Sequence, residues 1–157
     1  MLVVLLLVVV ALVIVGGLVT WVVRARSCAR IIDAPAGQED DESLFYGGIM
    51  CKQLTTSGTM VRLEMLDWGV RLRGIAPARW VVPTWEARYD ELALAELVAS
   101  RYSRIAVWFR LRGEPGGMGF LSHQSQDILR ILEKHEVPVN RAVTQFNRVD
   151  ELYRAVR

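Results

Sequence analysis

The sequence predicts an α+β domain, built from short antiparallel strands and a following helix, that lies behind an apolar N-terminal helix. Three observations predict this class. The first 23 residues contain no charged side chain. Several segments between residues 45 and 122 alternate apolar with polar residues and are separated by turn-forming residues, which is typical of strand hairpins. Two later segments carry apolar residues at helical spacing, and such a helix must bury its apolar stripe against the sheet.

The opening segment, residues 2–23, is an apolar run interrupted only by two glycines and one threonine. As a helix it would be about 33 Å long, which exceeds the roughly 30 Å of a bilayer core. No Lys or Arg precedes the run and no small-x-small cleavage pattern ends it, so a signal peptide fits poorly. Residues 1–23 are therefore predicted to form a transmembrane helix, with the lipid bilayer as its partner and Trp21 at the membrane interface.

The charges that flank this segment predict its orientation. Arg24, Arg26 and Arg30 follow the run closely, and no basic residue precedes it. The positive-inside rule then predicts a single-pass protein of the cytoplasmic (inner) membrane, with the N-terminus outside and the C-terminal domain in the cytoplasm. The three arginines are predicted to lie at the membrane interface. Gly16 and Thr20 form a small-x-x-x-small pair, so a homodimer through this helix face is a further expectation.

Residues 24–43 are predicted to be a juxtamembrane arginine collar and an acidic linker, because Pro35, Gly37 and four consecutive acidic residues, 39–42, favour an extended tether. Residues 44–157 are predicted to form the cytosolic domain. With the three collar arginines set aside, 16 of the 19 basic residues face 17 acidic residues. This near-neutral balance argues against nucleic acid as a partner. In the cytoplasm the two cysteines are expected to be free thiols.

The clearest predicted element is a hairpin over residues 61–74. Apolar residues alternate with Arg62 and Glu64 in its first half and with Arg71 and Arg73 in its second half. Asp67, Trp68 and Gly69 form a tight loop between the two strands. An earlier strand over 45–54 is also predicted, although Gly47 and Gly48 weaken it.

The second half of the domain is predicted with one ambiguity. Residues 84–99 favour two short strands broken near Asp90 and Glu91, but Pro83 could also open a helix there. The later segments read more simply as a strand, a turn, a return strand, a helix that Ser125 caps and Pro138 ends, and a short tail helix that Asn147 caps; these elements cover residues 104–111, 113–117, 118–122, 125–137 and 148–157.

Three stretches, residues 61–74, 82–92 and 118–133, carry a resemblance to a known superfold. Their order, a hairpin, a strand that ends in an acidic turn, and a last strand that leads into a helix, resembles the pleckstrin-homology-like superfold in its short bacterial and GRAM-like versions. The resemblance implies an antiparallel, partly open β-barrel capped by a C-terminal α-helix over about residues 45–138. The tail helix at 148–157 is not part of that fold.

The sequence gives no support for catalysis, a metal or a cofactor. The Gly-rich stretch 113–119 matches neither common nucleotide-binding pattern and lies between two predicted strands, so it is predicted to be a hairpin turn. His123, His135 and the two cysteines form neither a nucleophilic triad nor a metal-binding pattern. The chain is therefore predicted not to be an enzyme.

The function predicted from these features is a membrane-anchored binding or assembly module with an unidentified membrane or cytosolic protein partner. The alternative is a sensor of anionic lipid headgroups or of the membrane surface that uses Arg62, Arg71 and Arg73. Their spacing resembles the basic signature of some pleckstrin-homology domains, and three outward cations on adjacent strands could hold phosphate. Trp68, at the tip of the hairpin, is a candidate contact for a membrane or a partner.

Overall fold

The computed structural model describes most of the chain. The described residues are 2–26, 28–33, 41–51, 54–56, 58–80, 82–100, 105–147 and 151–152. Side chains are described at these positions except 2–5, 7, 18, 21, 22, 24–26, 41, 42, 54 and 100.

The first element, α1, spans Leu2–Arg26 and so extends past the predicted end at residue 23. Its described side chains are apolar except for Thr20, whose hydroxyl donates to the carbonyl oxygens of Gly16 and Gly17 at 2.9 and 2.8 Å. All of these side chains are exposed. The helix therefore packs none of its described side chains into the core of the domain.

The described residues do not support the predicted membrane anchor. No helix among them is both long enough and apolar enough to cross a membrane. This finding contradicts the transmembrane helix over 1–23, and we correct it together with the single-pass inner-membrane location and the predicted orientation.

The rest of the described chain is dominated by one sheet of nine strands. Its strands run in the order β5-β4-β3-β1-β8-β7-β6-β9, and the short β2 pairs only with β1. All pairs are antiparallel except β6 with β9. The strands are β1 Asp41–Cys51, β2 Leu54–Thr55, β3 Val61–Leu66, β4 Gly69–Gly74, β5 Trp85–Arg88, β6 Leu92–Ser100, β7 Ile105–Leu111, β8 Gly117–Leu121 and β9 Val139–Phe146.

The ambiguity over 84–99 is resolved in favour of strands. β5 and β6 are separated by a single 3-10 turn, Tyr89–Glu91, which coincides with the predicted break. A second 3-10 turn, Ala78–Trp80, lies between β4 and β5. The hairpin of β3 and β4 is also confirmed, with Leu66 opposite Gly69 and Val61 opposite Gly74.

One helix, α2, spans Ser125–Lys134 and closes the core of the sheet. Ile128, Leu129 and Leu132 are fully buried in that core, as their helical spacing predicts. The sheet-dominated structure, with hairpins followed by this helix, fits the pleckstrin-homology-like fold that the resemblance implies.

The segment after α2 corrects the predicted fold class a second time. The sequence predicts only a tail helix after α2, whereas the chain first forms β9, which adds in parallel to β6. Of the predicted tail helix, residues 151–152 are helical and the remainder lies outside the described residues. Leu152 is buried with Met50, Val98, Trp108 and Phe146 in a second apolar cluster. The described end of the tail therefore packs on the sheet.

The two glycines in β1 mark the point where this strand passes from one half of the sheet to the other. Gly47 pairs with Val61 of β3, whereas Gly48 pairs with Leu121 of β8. A Cβ atom at Gly47 would overlap the backbone carbonyl oxygen of Leu121. Gly47 is thus required by the close approach of β8, and Gly48 by the carbonyl oxygen of Thr56, which a Cβ atom there would overlap.

Gly47→Ala is expected to lower the free energy of unfolding by about 1–3 kcal/mol, because β8 must shift to admit the methyl group. The measurement is urea denaturation of the full chain. Gly17→Ala is the matched control, since nothing lies within 4 Å of the added Cβ in α1. Equal urea midpoints for Gly47→Ala and the wild-type chain would contradict the close approach.

Candidate functional site

The hairpin arginines belong to a cluster of charges on the face of the sheet opposite the core. Arg71 lies directly across from Glu64 on β3 and from Glu86 on β5. Its Nε donates to Glu86 Oε1 at 2.7 Å, and its Nη1 lies 3.5 Å from Glu64 Oε2. All three residues are buried. Arg71 is therefore enclosed between two carboxylates, whereas the sequence predicts an outward cation.

Arg62 and Arg73 remain half-exposed and share one of these carboxylates. The two arginines are direct cross-strand neighbours, an arrangement that destabilises a sheet unless another group offsets the repulsion. Glu64 supplies that offset, because its Oε1 lies 2.6 Å from Arg62 Nε and 3.3 Å from Arg73 Nε. The cluster of three arginines and two glutamates keeps a net positive charge.

A cavity of about 360 Å³ lies beside Arg62 and Arg73, at the end of the hairpin away from its turn. Arg79 and Thr84 also line it. Arg79 is exposed, and its guanidinium carbon lies 5.0 Å from the centroid of the Trp80 ring. Within the described part of the chain, no carboxylate forms an ion pair with Arg79. The cavity is therefore rimmed by three cations.

A second cavity, of about 390 Å³, adjoins the first and is apolar. Ile75 and Ala76 line both cavities. Met60, Pro77 and Val82 contribute to the apolar one, and Trp80 nearby is 76% exposed. We call the two cavities together with Trp80 the loop-end surface, because the loops before β3 and after β4 form most of it.

Trp68 lies at the opposite end of the hairpin from the loop-end surface. The guanidinium carbon of Arg71 lies 5.4 Å from the centroid of its ring. Its carbonyl oxygen accepts a hydrogen bond from the Tyr89 backbone at 3.4 Å. The structure thus brings Arg62, Arg71 and Arg73 together, with Trp68 over Arg71, and adds Arg79, which the sequence analysis missed because it lies in a loop without periodicity.

The predicted membrane-interface residues can be placed only in part. The side chains of Trp21, Arg24 and Arg26 lie outside those described. Arg30 is tied to the domain, because its Nη2 lies 3.1 Å from Glu91 Oε1 and 3.6 Å from Glu114 Oε1.

The two cysteines are joined, so the expectation of free thiols is wrong. Cys28 and Cys51 form a disulfide across a sequence separation of 23. That expectation rested on the cytosolic placement of the domain, which is itself corrected. The bond fastens the segment that follows α1 to the end of β1.

Three side chains of types that suggest catalysis, those of Ser122, Ser125 and His135, make structural contacts. Ser125 Oγ donates to the Ser122 carbonyl oxygen at 2.7 Å, and Ser122 Oγ accepts from the Gln124 backbone at 3.1 Å, so both hydroxyls stabilise the start of α2. His135 stacks on Tyr89 with ring centroids 3.9 Å apart. Among the described residues, no group of three or more His, Cys, Asp or Glu side chains could hold a metal ion.

Comparisons with known proteins give little guidance. No family model matches the chain, and no curated protein matches it. Among solved structures, the chain is similar to one described as the structure of the Spt16D Pob3N heterodimer, with 11% identity and a TM-score of 0.46. The match covers 67% of this chain and 56% of that chain, so it spans just over half of that protein's length. Nothing about function follows from a likeness this distant.

Proposed function

We propose that this chain is a non-catalytic binding module that recruits a partner protein through the loop-end surface. One observation carries the proposal: an apolar cavity and an arginine-lined cavity share a wall formed by Ile75 and Ala76. Apolar side chains that stay exposed beside charged residues are typical of surfaces that bind another molecule.

The chemistry of the surface indicates the kind of partner. The apolar cavity suits an aliphatic or aromatic side chain, and Trp80 can pack beside it as an aromatic anchor. Arg62, Arg73 and Arg79 outnumber the one carboxylate, Glu64, that faces two of them. The occupant we propose is therefore an acidic segment of a protein that presents an apolar side chain next to a carboxylate.

Site-specific photocrosslinking in the full-length chain tests this function. A photoreactive residue at Met60 is expected to capture a protein in the cells that make the chain, whereas one at the exposed Gln126 on α2 is not. Arg79→Glu is expected to reduce the Met60 adduct about tenfold or more, because it places a negative charge against an acidic partner. Arg130→Glu, an exposed charge reversal on α2, should leave the adduct unchanged. Equal adducts in both variants would contradict the proposal.

A membrane-surface sensor is the second candidate, and the exposed Trp80 beside Arg79 favours it, since an amphipathic ring next to a cation suits a lipid–water boundary. Arg71 is enclosed, so Arg62, Arg73 and Arg79 would meet the headgroups. Vesicles of phosphatidylcholine with phosphatidylserine distinguish the candidates. Salt-sensitive co-sedimentation that Arg79→Glu abolishes and Arg130→Glu preserves, without a protein adduct at Met60, would favour the sensor.

A further inference from the structure

The segment 28–33 lies along the outer edge of β5, which ends the strand order of the sheet. Arg30 forms a parallel bridge with Trp85. The Arg30 backbone donates to the Thr84 carbonyl oxygen at 3.1 Å and accepts from the Glu86 backbone at 2.8 Å. These are the hydrogen bonds that an added strand makes with an open sheet edge.

A cavity of about 340 Å³ lies beneath this segment. Cys28, Ala29 and Arg30 line it on one side, and the domain lines it on the other. On the domain side, the lining includes the buried residues Trp85, Leu111 and Met118. Departure of the segment would therefore uncover an unpaired strand edge beside an apolar floor, and that combination binds extended peptides in strand-addition sites.

The noncovalent contacts of the segment are mainly polar. Besides the two backbone bonds, Arg30 pairs with Glu91 and Glu114, and its Nη1 donates to the Glu86 carbonyl oxygen at 3.3 Å. The Ile32 backbone donates to Glu86 Oε2 at 3.2 Å, and Arg88 Nη2 donates to the Asp33 carbonyl oxygen at 3.4 Å. Ile31 is 75% exposed and so gains little from burial. The Cys28–Cys51 disulfide, in contrast, holds the segment beside β5 at high effective concentration.

We propose that the edge of β5 is a strand-addition site for an extended peptide, that residues 28–33 occupy this site in cis, and that the Cys28–Cys51 disulfide keeps it occupied. A dithiol reductant opens the site: it supplies two electrons and two protons, the sulfur–sulfur bond breaks, two thiols form, and the reductant becomes a disulfide. The peptide runs parallel to β5 and carries a cation at the position of Arg30, where Glu91 and Glu114 lie. This site does not depend on the loop-end surface.

Peptide binding to the full chain tests the proposal. The probe is a fluorescein-labelled peptide of residues 27–33 with Cys28→Ser, and the control is the same peptide with Arg30→Ala. The two proteins are the oxidised wild-type chain and a Cys28→Ser/Arg30→Ala variant. In the variant, the segment has lost both the disulfide and the ion pairs of Arg30. Fluorescence anisotropy is expected to show about tenfold or more tighter binding of the probe to the variant. The control peptide is expected to bind the variant about tenfold more weakly than the probe.

Amide hydrogen exchange makes each outcome decisive. In the variant, exchange at 84–88 is expected to accelerate while α2 and β7 keep the protection of the wild-type chain. Unchanged exchange at 84–88 would contradict the claim that the disulfide keeps the site occupied. Faster exchange without peptide binding would contradict the strand-addition site. If the variant does not fold, the wild-type chain reduced with dithiothreitol gives the same comparison, and the same two results decide it.

Discussion

Arg71→Met is expected to lower the free energy of unfolding of the full chain by about 3–5 kcal/mol. Arg71 lies between Glu64 and Glu86, and all three residues are buried. Removing the guanidinium leaves Glu86 without its only ion-pair partner among the described residues and leaves Glu64 with its two half-exposed partners alone. Methionine keeps much of the apolar volume, so the loss measures the uncompensated charge and not a cavity. Urea denaturation gives the value.

Two control variants separate this explanation from simpler ones. Adding Glu86→Gln to Arg71→Met should recover most of the lost stability, because Glu86 is the buried carboxylate left without an ion-pair partner, whereas Glu64 still pairs with Arg62 and Arg73. Arg130→Met removes an exposed arginine that pairs with Asp127 on α2, and it should change the free energy of unfolding by less than about 1 kcal/mol. If Arg71→Met lowers the free energy of unfolding no more than Arg130→Met does, the ion pairs of Arg71 with Glu64 and Glu86 contribute little to stability.

The burial of Arg71 could not be predicted from the hairpin alone. Strict alternation places the Arg71 side chain on the face away from the core, and the tight loop sets the register of the hairpin. The structure confirms both predictions. That face is closed by more distant groups, Glu86 on the next strand and the backbone of Ile32, which donates to Glu86. Local alternation carries no information about such contacts, because they depend on how separate segments meet.

The missed elements have a similar cause. Within β9, residues 141–145 are exposed and only Phe146, at its end, is buried, so its sequence shows no alternation of the kind that predicts strands. It pairs in parallel with β6, and the chain between these two strands contains β7, β8 and α2. Arg79 escaped prediction because it lies in a loop between two prolines, where only the fold brings it near Arg62 and Arg73.

Loss of the Cys28–Cys51 disulfide is expected to lower the free energy of unfolding by about 3 kcal/mol. The bond closes a loop with a sequence separation of 23, and the reduced unfolded chain gains the conformational freedom that this closure removes. Urea denaturation of the oxidised chain, of the chain reduced with dithiothreitol and of a Cys28→Ser/Cys51→Ser variant gives the value, and the last two should agree.

The size of this loss distinguishes constraint of the unfolded chain from loss of native contacts. Arg30→Ala with the disulfide intact removes the pairs with Glu91 and Glu114, which are partly exposed, and should reduce stability by about 1 kcal/mol or less. If the bond acts mainly on the unfolded chain, reduction should have nearly the same effect in Arg30→Ala as in the wild-type chain, since the two changes act on different states. A reduced wild-type chain with the urea midpoint of the oxidised one would refute a stabilising role for the bond. The segment 28–33 would then be held beside β5 by its noncovalent contacts alone.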